Sequence, residues 1–145
     1  MQHLTPIWNK VMETGIHTMP FSVEAKFSIV DLNDLAEATG IVATSDGHEN
    51  ATYQLAGPEQ LIQTNMANIL SRLTGNTIRA ETKSLEDFRK EAESSGIPAA
   101  RIETMMTMNR HYDTHGLVGN PNVLRWILGR PPTTFAEFVK RDLLI

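Results

Sequence analysis

Four titratable side chains fall within five consecutive positions late in the chain: His111, Tyr112, Asp113 and His115. On a helix, His111 and His115 stand at i and i+4 and so share a face. Two imidazoles placed this way suit proton transfer near neutral pH or two metal ligands. Asp113 is rotated away from that face, and no Glu follows His111, so the His-Glu-x-x-His pattern of zinc hydrolases is absent and no metal is expected. Tyr112 lies on the stripe Ile102, Met105, Met106, Asn109, Tyr112, where an aromatic packs with its hydroxyl bonded or serves as a general acid. Asp113 reads either as the partner of a neighbouring turn or as the carboxylate of a carboxylate–histidine pair, the simplest acid/base device in this chain.

Apolar side chains that could line a ligand site surround these groups. Met105 and Met108 offer a soft, adaptable lining, with core packing as the competing reading. Trp8 and Trp126 read as packing anchors whose indole N–H is free to meet a ligand. His17 and His48 fall at a strand edge and in a turn, and no role is assigned to them.

The elements that must position these groups can be read from the apolar spacing and the turn signals. Thr5-Pro6 opens a short helix with Ile7, Trp8, Val11 and Met12 on one face and Gly15 as its stop. Ile16–Met19 is extended. Lys26–Val30 and Ala51–Ala56 alternate as short strands, and Thr77–Glu81 is a third candidate. Asp31 caps a helix that Gly40 interrupts, which suggests close packing at Gly40. Met66, Ile69, Leu70 and Leu73 mark the next helix, and Ser84 with Asp87 caps another. Pro98 opens the longest helix, running to about His115. Asn122 is the expected cap of Val123–Leu128, and Thr134 with Glu137 forms a capping box for the last helix. The expectation is an α/β (α+β-like) fold, with a small sheet of three or four short strands and six or seven helices, as a single domain over residues 1–145. An open sheet edge in so small a sheet needs cover, and homodimerisation would supply it.

Composition narrows the function classes. The 145 residues carry a net charge of −4 with scattered arginines, which argues against nucleic acid as the partner. With no cysteine, a disulfide framework, a thiolate metal site and a Cys nucleophile are all excluded. No apolar run approaches the ~20 residues of a membrane span and no signal peptide is visible, so no membrane partner and a cytoplasmic location are expected.

Several ordered signatures carry a resemblance. They are Val30-Asp31-Leu32-Asn33-Asp34-Leu35-Ala36, Leu55-Ala56-Gly57-Pro58-Glu59, Tyr112-Asp113-x-x-His115-Gly116, and Leu124 through Gly129-Arg130-x-Pro132-Thr133-Thr134-Phe135. Together they resemble the C-terminal half of the NmrA-like proteins, atypical members of the short-chain dehydrogenase/reductase superfamily. The resemblance implies a substrate-covering half whose partner, an N-terminal Rossmann half, binds NAD(P). It also places His3, where the family more often has Asn, facing the cleft. The Gly-x-x-Gly-x-x-Gly turn after a strand is absent, and Gly116-x-x-Gly119-x-x-Asn122 follows a helix and ends in Asn. The Tyr-x-x-x-Lys pair of ordinary short-chain reductases is missing too, since Tyr53 and Tyr112 are followed four residues on by Gly57 and Gly116. No cofactor is therefore expected on this chain.

These observations lead to an expected cofactor-independent enzyme performing isomerisation, cyclisation, dehydration or hydrolysis of a hydrophobic small molecule. Its proton-transfer groups would be His115, Asp113, Tyr112 and His111, with His3 near them. The alternatives are a non-catalytic dimerising or regulatory module, or a truncated part of an NAD(P)-dependent reductase.

Overall fold

Local capping chemistry sets most of the element boundaries. The computed structural model describes residues 1–144. A 3-10 turn over Gln2–Ile7 contains Pro6 and leads into α1, Trp8–Thr14. Pro6 thus sits inside the preceding turn, and Thr5 does not cap the α-helix. Gly15 ends α1 in the left-handed region, where a Cβ would come within 2.8 Å of the Thr77 carbonyl oxygen. Strand β1, Ile16–Met19, follows. Helix α2, Leu32–Thr44, is capped by Asp31, whose side chain accepts from the Asn33 N–H at 2.7 Å. Helix α3, Gln63–Thr74, ends at Gly75, also left-handed.

Strand β2, Arg79–Thr82, precedes α4, Leu85–Ser94, where Ser84 accepts from the Asp87 N–H at 3.0 Å. Helix α5, Ala99–His115, is the 17-residue element that carries the histidine pair. Helix α6, Asn122–Leu128, and helix α7, Phe135–Asp142, complete the fold, the latter on the expected Thr134/Glu137 capping box. Asn122 is the first residue of α6 rather than its cap. The Asn120 carboxamide oxygen accepts from the Asn122 N–H at 2.9 Å, and Pro121 holds the cap position.

The sheet is smaller than the alternation predicts. Among the described residues it has two parallel strands, β1 and β2, in the register Ile16↔Arg79 to Met19↔Thr82. A parallel pair needs a crossover, and here α2 and α3 lie within it. Residues 26–30 form no ladder, although Phe27 is buried as the alternation implies. Single bridges join Phe27 to Leu61 and to Leu117, so three segments meet at one point instead of running side by side. Gly57 donates to the Ser28 carbonyl at 3.2 Å, and a Cβ on Gly57 would overlap the Ile29 carbonyl oxygen at 1.7 Å. That close crossing, followed by Pro58 with no N–H to donate, ends the pairing. Residues 51–54 are exposed and find no strand partner among the described residues.

The main core gathers Leu4, Val11, Leu70, Phe135, Phe138 and Val139, so the chain's first turn and last helix pack on α3. Satellite clusters join α2 to α6 through Ala38, Leu124 and Leu128, and α4 to α5 through Ala92, Ile102 and Met106. Gly40 lies in α2, and a Cβ there would meet nothing within 4 Å, so close packing does not explain this glycine.

Candidate functional site

Helix α5 does bring the sequence candidates together, but it points them in different directions. His111 and His115 are both exposed, with ring centroids 4.7 Å apart and tilted by 45°. Tyr112 turns inward, packing edge-on against Phe27 at 5.4 Å and Phe21 at 5.9 Å. Asp113 turns to the 20–28 loop and accepts from the Ser22 N–H at 2.6 Å. Its carboxylate therefore tethers α5 to that loop, and no hydrogen bond joins it to either histidine among the described residues. These are the contacts that the plainer of the two readings predicts for each residue.

The other candidates disperse. His3 is exposed on the first turn, while its neighbour Gln2 faces inward, bonding Asp31 and the Leu32 N–H. Trp8 is half-buried against the main core, whereas Trp126 is 72% exposed on α6. Met106 is core, Met105 is half-buried, and Met108 is exposed beside Glu103, Thr104 and Thr107 in a shallow, open depression of about 510 Å³. A second open depression of about 330 Å³ follows Val42–Glu49, and neither one includes the histidine pair.

Two buried polar arrangements have no counterpart among the sequence candidates. His17 on β1 is 6% exposed and bonds the Gln63 carboxamide at 2.7 Å through Nε2, while its Nδ1 is buried without a partner. Burial pushes the imidazole below the ordinary histidine range, against the opposing effect of the Gln63 bond. Because the Gln63 oxygen accepts, the proton is assigned to Nε2, leaving only a bare lone pair at Nδ1.

The second arrangement is acidic. Asp31 is fully buried and holds the Arg141 guanidinium at 2.7 Å. Burial alone would raise its carboxyl, but hydrogen bonds from the Asn33 N–H, Arg141 and Gln2 outweigh it and leave the group below the usual carboxylate range. Asp34, 1% exposed, accepts from the Thr133 N–H at 2.6 Å and from Arg130 at 2.8 Å. Glu59 accepts from the Phe135 N–H at 2.8 Å. The acids of two signatures thus hold down a third signature and the start of α7. The double acid Asp31-x-x-Asp34 hints at this, but its basic partners lie 110 and 96 residues downstream.

The turn from β2 to α4 does not fit a dinucleotide pyrophosphate. The one short strand-to-helix turn, from β2 to α4, fills its helix N-terminus with the Ser84 side chain and puts Glu86 and Asp87 in the first turn. A phosphate there would meet two carboxylates instead of free N–H groups. Gly116, the start of the Gly-rich spacing, is instead required by a crossing, since a Cβ would sit 2.3 Å from the Lys26 carbonyl oxygen.

Comparison with known proteins supplies the lineage. Over 140 residues the chain is 31% identical to the NAD(P)H azoreductase of Xenophilus azovorans, covering 97% of this chain and 49% of that protein. It is 28% identical over 116 residues to quinone oxidoreductase 2 of Escherichia coli (strain K12), covering 80% of this chain and 41% of that protein. The chain is related to NAD(P)H-dependent reductases. It spans about half the length of the curated relatives it matches. In fold it is similar to the E. coli NADPH-dependent quinone oxidoreductase (TM-score 0.81, 24% identity, 96% of this chain and 50% of that one). It is also similar to Citrobacter sp. triphenylmethane reductase (TM-score 0.78, 24% identity, 94% of this chain and 47% of that one). No protein-family model matches the chain. Among the described residues, no helix is long and apolar enough to cross a membrane.

Proposed function

We propose that this chain is the substrate-side part of an NAD(P)H-dependent reductase acting on quinone- or azo-type acceptors, with the dinucleotide held by a nucleotide-binding half that these residues do not build. One observation carries the reading: alignment runs along 97% of this chain but only 49% of the azoreductase. The cofactor-free isomerase or cyclase expected from the sequence draws no support from the relatives. The inward tyrosine and tethered aspartate also weaken it, because they leave the two histidines without a carboxylate partner.

Two measurements test the proposal. Calorimetric titration of the chain alone with NADPH is expected to show no saturable binding. A chimera that replaces the matching residues of E. coli quinone oxidoreductase 2 with this chain is expected to retain NADPH-dependent quinone reduction. A folded chimera that binds NADPH yet reduces neither quinones nor azo dyes would sink the assignment. The expected homodimer belongs to the same proposal, as cover for the open edge of β2. Light scattering at twice 16.2 kDa supports it and the monomer mass overturns it.

A further inference from the structure

We propose that the outer face of α5 is a copper-binding site formed by His111 and His115, with the Met108 thioether as a third, softer donor. At 100° per residue these three positions fall within an arc of about 60°, one turn above another. All three side chains are exposed, and the two imidazoles are neighbours, with centroids 4.7 Å apart and planes tilted by 45°. Rotation of two exposed rings this near each other can bring one nitrogen of each to ~2.0–2.1 Å from a shared ion.

The two carboxylates of α5 are already engaged, so neither histidine has an acidic partner on its own helix. Asp113 is committed to the Ser22 N–H, and Glu103, about a quarter-turn or more round the helix, pairs with Arg89 at 2.5 Å. Among the described residues no set of three His, Asp or Glu side chains is grouped to hold an ion, so the protein supplies no closed structural site. Two imidazoles on an open face leave the remaining positions to water. Such a site takes its metal by intrinsic affinity, which for nitrogen donors peaks at Cu²⁺ in the first-row divalent series. A thioether on the same face adds preference for the reduced ion, Cu⁺, since soft sulfur ligands favour it. The Trp-bearing helix α6 and the buried acids play no part.

The test titrates the full chain with Cu²⁺ alone in a non-coordinating buffer. A His3→Ala background removes chelation by an N-terminal amine together with a third-position histidine. Saturable binding of one ion is expected, with electron paramagnetic resonance showing two coupled nitrogens. His111→Ala and His115→Ala should each weaken binding roughly tenfold or more, and the double variant should lose the two-nitrogen signal. Met108→Ala should leave Cu²⁺ affinity unchanged and weaken Cu⁺ in competition with a chromogenic chelator. All of these side chains are exposed, so circular dichroism should confirm an unchanged fold. Equal Cu²⁺ binding by the double variant, or a spectrum with oxygen ligands only, overturns the site.

Discussion

The guanidinium of Arg141 lies 2.7 Å from the carboxylate of Asp31, a residue 110 positions earlier that is completely buried. With Asp34–Thr133 and Glu59–Phe135, this contact makes the C-terminal segment part of the same unit as the Asp31 cap of α2. Breaking a buried pair from the basic side leaves an uncompensated charge. Arg141 is itself partly exposed, so Arg141→Ala is expected to cost about 1.5–2 kcal/mol, the low end of the range for hydrogen bonds to charged groups. Asp31→Ala should cost more, about 2–4 kcal/mol, because it also removes the cap and takes away the acceptor of the Gln2 amide N–H. Urea unfolding of both variants checks the order. A larger loss for Arg141→Ala would show that the pair, not the cap, dominates.

Asp34→Ala is expected to loosen the Arg130–Thr134 segment as well as lowering stability. Its two oxygens take up the Thr133 N–H, the Thr133 hydroxyl and Arg130. Amide hydrogen exchange should therefore speed up at Thr133 and along α7 while α4 keeps its protection. Uniform acceleration across the chain would instead mean simple global destabilisation.

How far the sequence is legible follows from the range of each interaction. Caps at Asp31, Ser84 and Thr134 act within three residues, and all three are readable. The same holds for the inward stripe of α5, where Ile102, Met106 and Asn109 are buried. Strand pairing at Phe27 is not readable, because alternation reports burial and says nothing about whether a partner runs alongside. The acidic signatures stand out as lineage marks, but their work joins residues about a hundred positions apart. Nothing in local spacing distinguishes His17, which is buried, from His3, which is exposed, so only the fold separates the two histidines.

Acid should destabilise the fold through His17. Burial holds its folded pKa below the ordinary value of about 6.5. Above that pH the imidazole is neutral in both states and contributes no slope. As pH falls below it, the unfolded chain takes up the proton first, so unfolding free energy drops with acid. Urea midpoints between pH 5 and 8 should therefore fall on the acid side, well above the range in which Asp31 is protonated and its own contribution is lost. His17→Gln, which cannot ionise, should flatten that part of the curve. An unchanged slope would move the effect to another group.

The two tryptophans should behave oppositely. Trp126 is 72% exposed, so its replacement by Ala should change stability by less than about 0.5 kcal/mol and remove the acrylamide-quenchable part of the emission. Trp8 packs on the main core, and Trp8→Ala should cost roughly 2 kcal/mol, short of a fully buried aromatic. A stability loss at Trp126 would reveal a contact made by a second molecule.

Gly40 and Gly116 give a paired test with opposite signs. Gly40 occupies a helix interior with open space around it, so alanine relieves the entropic cost of glycine there and should stabilise by about 0.5–1 kcal/mol. Gly116 has φ 63° and ψ −159°, a region open essentially to glycine alone, and its α-carbon hydrogen faces the Lys26 carbonyl, which a Cβ would approach to 2.3 Å. The crossing is fixed from both sides, since Leu117 N–H donates to the Lys26 oxygen at 2.8 Å and Ser28 N–H to the Leu117 oxygen at 2.9 Å. Alanine at 116 must therefore break this crossing or distort the end of α5, and a loss of about 3 kcal/mol or more is expected. Thermal unfolding of the two variants reads the contrast directly. If Gly116→Ala melts with the parent, the α5–loop crossing does not hold in solution, and the placement of His115 immediately before it falls with it.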